Sequence, residues 1–319
     1  MKKIRAGVVG VGYLGNFHAE KYAGLAEAEL VGVADIDASR AQAVANAHGT
    51  RAFSDYRELI GRVDAVSIAV ITPEHYGIAR AFLESGIDVL IEKPITETLD
   101  QADALIDIAE EKGCVLQVGH LERFNPAVHA VKDLVDNPMF IESNRLSLYQ
   151  PRGTDVSVVL DLMIHDIDII LTFVKSKIAY FHAMGAPVVS GHVDIANAHL
   201  EFANGAVANV TASRISSKNE RKIRLFQKAG YFSVDFANRS IMHIHPGGSE
   251  GEESPVPGMQ IEEHKFEHSD ALRDEIRSFL HAVATRGAPE VSGQMGREAL
   301  QMALDITRQI RESSRWFME

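Results

Sequence analysis

The chain has 319 residues, enough for one large domain or two ordinary ones, and its 46% hydrophobic and 24% charged residues describe a soluble globular protein with a sizeable core. A formal net charge of -12 excludes nucleic acid and an anionic membrane as main partners, and it directs any anionic substrate to a local basic pocket. The one cysteine, Cys114, excludes an internal disulfide and fits a reducing cytoplasm; between Gly113 and Val115 at a strand start it reads as a packing residue.

The opening MKKIR resembles the start of a secretory signal, but glycines interrupt the apolar stretch and no convincing cleavage site follows. No apolar run elsewhere is long enough to span a bilayer, so the expected location is cytoplasmic. The same opening stretch, Ile4 to Gly15, reads as a strand, a glycine turn and a helix start (IRAGVVGVGYLG). Gly10 allows the tight turn, Gly12 leaves the backbone open to phosphates, and Gly15 lets the following helix pack against the strand. The free N–H groups and positive dipole end of that helix then face an anion. The next strand, Leu30 to Ala34, ends in Asp35, where a carboxylate accepts hydrogen bonds from the adenosine ribose. That carboxylate repels a ribose phosphate, which favours NAD over NADP, and Arg40 nearby moderates the preference.

Strands and helices alternate as far as residue 120, the pattern of a parallel sheet covered on both faces. The helices run from Ser39 to His48 (capped by Asp37 or Ser39, stopped by Gly49), Tyr56 to Ile60, Pro73 to Ser85 and Thr98 to Lys112. Thr98 and Gln101 have the spacing of a capping box. The strands are Ala52-Phe53, Asp64 to Val70, Val89 to Ile91 and Val115 to Val118. Beyond residue 120 the pattern changes. Helices are expected over Asn125 to Val135 and Leu160 to Phe173, and strands over most of 140–266, including a hairpin turning at Asn204-Gly205. Residues 246–258 read as a turn-rich loop, and helices over Asp270 to Thr285 and Gly293 to Arg311 finish the chain. The expected fold is therefore an α/β Rossmann dinucleotide-binding domain over 1–120. An α+β domain over 121–319 follows, with an open-faced, mainly antiparallel sheet and helices on one face.

Chemistry is sought at strand ends, because ligands of open parallel sheets bind beyond the carboxyl ends of the strands. Glu92, Lys93 and Pro94 sit at such an end, where Lys93 can hydrogen-bond a substrate hydroxyl and steady its developing charge; the alternative is a solvated charge pair. In VLDLMIHDIDII, residues 159–170, Asp161 and His165 lie one helical turn apart, with Asp168 close to the same stripe. A histidine in reach of an alcohol is a suitable general base, and a nearby carboxylate stabilises its charged form. No second well-spaced histidine or cysteine joins this cluster, so no metal is expected there.

These motifs together identify a resemblance to the Gfo/Idh/MocA family of nicotinamide-dependent dehydrogenases over nearly the full length. It rests on GVGYLG, Asp35, ITPEH at 71–75, EKP at 92–94, DLMIHDID at 161–168 and PEVSGQMGREAL at 289–300. The resemblance implies that Lys93, Asp161 and His165 are catalytic. It also implies that Gly10, Gly12, Tyr13, Leu14, Gly15, Asp35, Thr72, His75, Glu92 and Lys93 line the cofactor. It implies dimers or tetramers through the C-terminal sheet. Within the family, VGHLERFNPAV at 118–128 and YQPRGTDV at 149–156 are most similar to UDP-N-acetylglucosamine 3-dehydrogenases. That likeness places Arg123, Asn125 and Arg152 on the substrate beside Asp161 and His165. Arg123 and Arg152 can bind a diphosphate bidentately, or can equally form intramolecular ion pairs. The implied function is oxidation of a sugar ring hydroxyl with NAD, on a sugar or nucleotide sugar. An inositol or free-sugar dehydrogenase and a non-catalytic NAD- or sugar-binding regulator are the alternatives, and the intact acid/base set favours an enzyme.

Overall fold

A computed structural model describes residues 3–150, 156–228, 230–247, 258–267 and 269–313. It divides into two compact units, Met1–Leu121 with Asp270–Glu298 and Glu122–Ser269 with Ala299–Glu319. A contiguous division at residue 120 therefore differs from the observed units, because 270–298 groups with the first unit.

In the first unit six strands form one parallel sheet: β1 (Ile4–Val9), β2 (Ala28–Ala34), β3 (Arg51–Phe53), β4 (Ala65–Ile68), β5 (Asp88–Glu92) and β6 (Leu116–Gly119). Their order is β3-β2-β1-β4-β5-β6, so the chain reverses direction across the sheet at β1 and β4, which is where such folds bind ligands. The connecting helices are α1 (Tyr13–Gly24), α2 (Ala38–His48), α3 (Thr72–Glu84) and α4 (Leu99–Lys112). The expected stops are present: Asp37 caps α2 and Gly49 closes it at φ 65°. Only half of the capping box on α4 forms. Thr98 accepts from the Gln101 amide, while Gln101 Oε1 is buried without a hydrogen-bond partner among the described residues. The short helix expected at Tyr56 is a single 3₁₀ turn, Tyr56–Leu59.

Helix α7 (Ala271–Thr285) belongs to this unit because its apolar stripe has nowhere else to go. Ile276, Phe279, Leu280 and Val283 recur at helical spacing and are buried with Ala6, Val8, Tyr22 and Val115. Each such side chain contributes about 1.5–3 kcal/mol on burial. Asp270 accepts from the Arg273 amide at the helix start and pairs with Lys21 of α1 at 3.0 Å.

The second unit holds an eight-stranded sheet in the order β14-β13-β12-β11-β7-β10-β9-β8. The strands are β7 (Phe140–Leu146), β8 (Ile178–Ala186), β9 (Ile195–Phe202), β10 (Val207–Ser213), β11 (Glu220–Gln227), β12 (Gly230–Asp235), β13 (Ser240–Pro246) and β14 (Met259–Lys265). Every neighbouring pair is antiparallel except β7 with β10. At the β9–β10 hairpin only Gly205 takes a positive φ, 88°, and the Asn204 side chain accepts from the Ala206 amide, so the turn is wider than the two-residue form the Asn-Gly pair suggests.

One face of the sheet carries α5 (Pro126–Val131), α6 (Ile164–Val174) and the end of α8 (Gly293–Ser313), whose Ala299, Ala303, Ile306 and Ile310 are buried in the same core. The helix expected over 125–135 is shortened to α5, with Asn125 as its cap. The helix expected over 160–173 begins instead as a π turn, Val159–Met163, in which the Ile164 amide reaches back to the Val159 carbonyl.

Two buried ion pairs fasten α6. Arg145 of β7 donates to Asp166 at 2.7 Å and to Glu122 at 2.8 Å, and Arg123 grips Asp168 with two bonds of 2.6 and 2.7 Å. Burial opposes the Arg145 charge, and Asp166 and Glu122 more than offset it, so the guanidinium stays protonated. Arg145→Met, which strands Asp166, is expected to cost about 3–5 kcal/mol in denaturant unfolding. Replacing Asp166 as well, by Leu, should recover most of that loss.

Candidate active site

The first unit supplies a dinucleotide cradle. Gly10 turns at φ 80°, and a Cβ on Gly15 would lie 1.7 Å from the Gly10 carbonyl oxygen, so α1 can approach β1 this closely only with glycine. A Cβ on Gly12 would meet nothing within 4 Å, which leaves open space above the turn. Gly12 starts α1 without a side-chain cap, and no acidic residue occupies the first turn, so the helix presents its N–H groups to an anion. Tyr13 is exposed beside it and Leu14 partly so.

Asp35, at the end of β2, is buried and doubly held. Its carboxylate accepts from the Val11 amide at 2.9 Å and from the Asp37 amide at 2.9 Å. Arg40 stands 3.4 Å from both oxygens. This anchoring keeps a negative group at the strand tip, where a ribose diol is accepted and a ribose phosphate repelled. Ile36 and Ile71, just beyond the ends of β2 and β4, are 97% and 70% exposed. The motif reading gave neither residue a role, although Ile71 opens the ITPEH motif. Their signal was present as isolated apolar residues in polar strand-end turns.

Thr72 opens α3 next to Ile71 and is half-buried. His75 departs from its expected role: it is buried, with its ring nitrogens 2.9 Å from the Pro94 carbonyl and 3.1 Å from the Val70 carbonyl. It therefore braces the loops that follow β4 and β5. Glu92 ends β5 and accepts from His18 Nε2 of α1 at 3.0 Å, with Lys93 half-buried beside it. Burial acts to raise the Glu92 carboxyl, and His18, Lys93 and His75 override it, holding Glu92 below the usual carboxylate range. Glu275 of α7 lies in the same buried group, with ligand atoms of His18, Glu92 and Glu275 all within 4.8 Å of one another. Neither Glu275 carboxyl oxygen has a hydrogen-bond partner among the described residues, and burial together with the Glu92 charge pushes its carboxyl well above the usual range. His18 and Glu275 escape sequence reading because they reach Glu92 from distant elements.

The second unit holds Asp161 and His165, the pair expected to act as acid and base. Asp161 lies in the π turn and His165 in the first turn of α6; both are half-buried, while Asp166 and Asp168 are buried in the ion pairs described above. Arg123 is the clearest departure. Its guanidinium is committed to Asp168 and its side chain is only 7% exposed, which is the intramolecular alternative, so it does not serve a diphosphate in this arrangement. Asn125 is likewise committed: its Oδ1 accepts from Ala127 and its Nδ2 donates to the Phe236 carbonyl, a capping role in place of a substrate contact. Arg152 lies outside the described residues.

Residues 4–120 match the oxidoreductase family with the NAD-binding Rossmann fold, GFO/IDH/MocA, and residues 135–233 match the GFO/IDH/MocA C-terminal domain. The chain is 39% identical over 307 residues to the UDP-N-acetylglucosamine 3-dehydrogenase of Acidithiobacillus ferrooxidans, covering 96% of this chain and 97% of that one. The chain belongs to the Gfo/Idh/MocA oxidoreductase family. A solved structure of the Acidithiobacillus ferrooxidans enzyme superposes with a TM-score of 0.93 at 38% identity, covering 98% of this chain and 99% of that one. Levoglucosan dehydrogenase in complex with NADH and levoglucosan shares the fold, with a TM-score of 0.87 at 19% identity and 98% of each chain covered. As a Gfo/Idh/MocA member the chain is an NAD-binding oxidoreductase acting on CH–OH groups. Among the described residues no helix is long and apolar enough to cross a membrane.

Two outcomes follow from the cradle of this Gfo/Idh/MocA chain. Asp35→Ser should weaken NAD binding about 10- to 100-fold, as expected for charged hydrogen bonds, and shift the NAD/NADP affinity ratio toward NADP in fluorescence titration. For Glu275, the folded carboxyl keeps a proton that the unfolded chain loses above about pH 4.3, so the group's contribution to stability falls as pH rises from there toward the raised folded value. Glu275→Gln should therefore gain on the parent protein with rising pH, checked by denaturant midpoints from about pH 5 to about pH 9.

Proposed function

We propose that the chain is an NAD-dependent UDP-N-acetylglucosamine 3-dehydrogenase. The carrying observation is 39% identity across 96% of the chain to an enzyme of that name, with Lys93, Asp161 and His165 all in place. In this reading the free N–H groups at the start of α1 hold the pyrophosphate, with Tyr13 and Leu14 at its rim, and Asp35 holds the adenosine ribose. Ile36 and Ile71 flank the adenine, and Thr72, Glu92 and Lys93 serve the nicotinamide end. Bound NAD supplies the hydride acceptor. His165 takes the hydroxyl proton and Asp161 stabilises the resulting imidazolium. Lys93 donates a hydrogen bond to the substrate oxygen and steadies the charge that develops there as the carbon loses hydride. The hydroxyl proton thus ends on His165 and leaves to solvent when the ketone is released.

Recognition of the diphosphate falls to cations other than Arg123, and Arg152 keeps that proposed role. The proposed assembly is a homodimer or homotetramer through the eight-stranded sheet, supported by the exposed Tyr180, Met184 and Ile195 of β8 and β9. The proposed location is the cytoplasm, in keeping with a single cysteine. A second reading, oxidation of a free polyol, is favoured by the inositol 2-dehydrogenase of Rubrobacter xylanophilus, 33% identical over 67% of this chain and 66% of that one.

Nicotinamide reduction with UDP-N-acetylglucosamine, UDP-glucose, N-acetylglucosamine and myo-inositol separates these readings. Turnover confined to the acetylated nucleotide sugar is expected, and turnover only on free polyols would replace the substrate assignment. His165→Ala should lower kcat at least about 100-fold with NAD affinity retained, Lys93→Ala should lower kcat at least as much, and near-normal turnover in either would refute its role.

A further inference from the structure

We propose that His243, His245 and Glu262 form a binding site for one divalent transition-metal ion, such as Zn²⁺, on the β13–β14 hairpin. The two histidines are two residues apart on β13 and so project from the same side of the strand, and Glu262 of β14 stands directly opposite His243 in the pairing register. One ligand atom from each of the three lies within 4.8 Å of the other two. His245 Nε2 is 3.5 Å from Glu262 Oε1. Two corners of a tetrahedron around zinc, with bonds of about 2.0–2.2 Å, are about 3.4 Å apart, so this pair already has the spacing of two ligands of one ion.

The hydrogen bonding around the site selects the right tautomer. His245 Nδ1 lies 3.0 Å from the Pro246 carbonyl, which can only accept, so Nδ1 carries the proton. With Nδ1 so occupied, Nε2 is the nitrogen that faces the Glu262 carboxylate, where a divalent ion can bridge the two. A backbone carbonyl that orients a metal-ligating histidine through its second nitrogen is the usual outer support of such sites. His243 is held as firmly: its ring stacks on Phe232 at 4.1 Å and 12°, with the His245 ring 4.5 Å away. His245 is partly exposed and Glu262 more so, which leaves access and a remaining coordination position for water. Two imidazoles and one carboxylate suit zinc, nickel or cobalt in preference to magnesium or calcium.

The test uses the tag-free, chelator-treated full chain, titrated with Zn²⁺ by calorimetry and with Co²⁺ by visible absorption. Saturable binding of one ion is expected, with a metal-dependent rise in the thermal midpoint. Glu262→Gln and His245→Ala should each weaken it at least about tenfold, and His243→Ala with His245→Ala should abolish it. Unchanged NAD affinity in these variants confirms that the fold is intact, since none of the three residues belongs to the proposed catalytic or cofactor machinery. Absence of saturable binding to the parent chain would overturn the proposal, as would equal stoichiometry and affinity in the double variant.

Discussion

The helix that bears His165 is held in place by charge buried on both sides of it. Asp166 and Asp168 are two positions apart on α6, about 200° around the helix, so the guanidinium groups of Arg145 and Arg123 grip it from different directions. Buried pairs of this kind add little net stability compared with an apolar contact, yet breaking one strands a charge in the interior. Their effect is to specify. Any rotation of α6 that moves His165 off its present heading pulls both carboxylates from their partners at once. The π turn before the helix carries Asp161 directly ahead of the turn that carries His165, and such turns are frequent at functional sites.

Much of this architecture is legible in the chain itself, and the reason is range. The glycine turn, the Asp37 cap and the alternation of strands with amphipathic helices are decided by neighbours a few residues away. Gly10, Gly15 and Gly49 accordingly sit where their freedom is needed. The readings that changed are those decided at a distance. Arg123 looks like a phosphate ligand until Asp168, forty-five positions later, is seen to occupy it. His75 sits in a family motif, but its nitrogens answer to the carbonyls of Val70 and Pro94. The Asn125 carboxamide is spent on Ala127 and Phe236. In each case a polar side chain near a functional turn supports the turn, and only the fold tells support from contact.

The same distinction organises the buried group under Lys93. His18, Glu92 and Glu275 come from α1, β5 and α7, three elements with no sequence relation. Two carboxyl groups this close in a low-dielectric interior cannot both ionise, and the environment decides which one does. Glu92 has the His18 hydrogen bond and the Lys93 charge, so it takes the negative charge; Glu275 has neither and keeps its proton. The outcome is a fixed anion at Glu92, the residue before Lys93, with an acid held toward its neutral form close by, and the adjoining Gln117 amide bonded to the α7 backbone at Glu275. Helix α7 is thus more than a hydrophobic brace returned from the far end of the chain. By placing against Glu92 an acid whose burial favours the neutral form, it leaves the negative charge of the pair on Glu92. That charge belongs to a carboxylate whose own position is fixed by a hydrogen bond from α1.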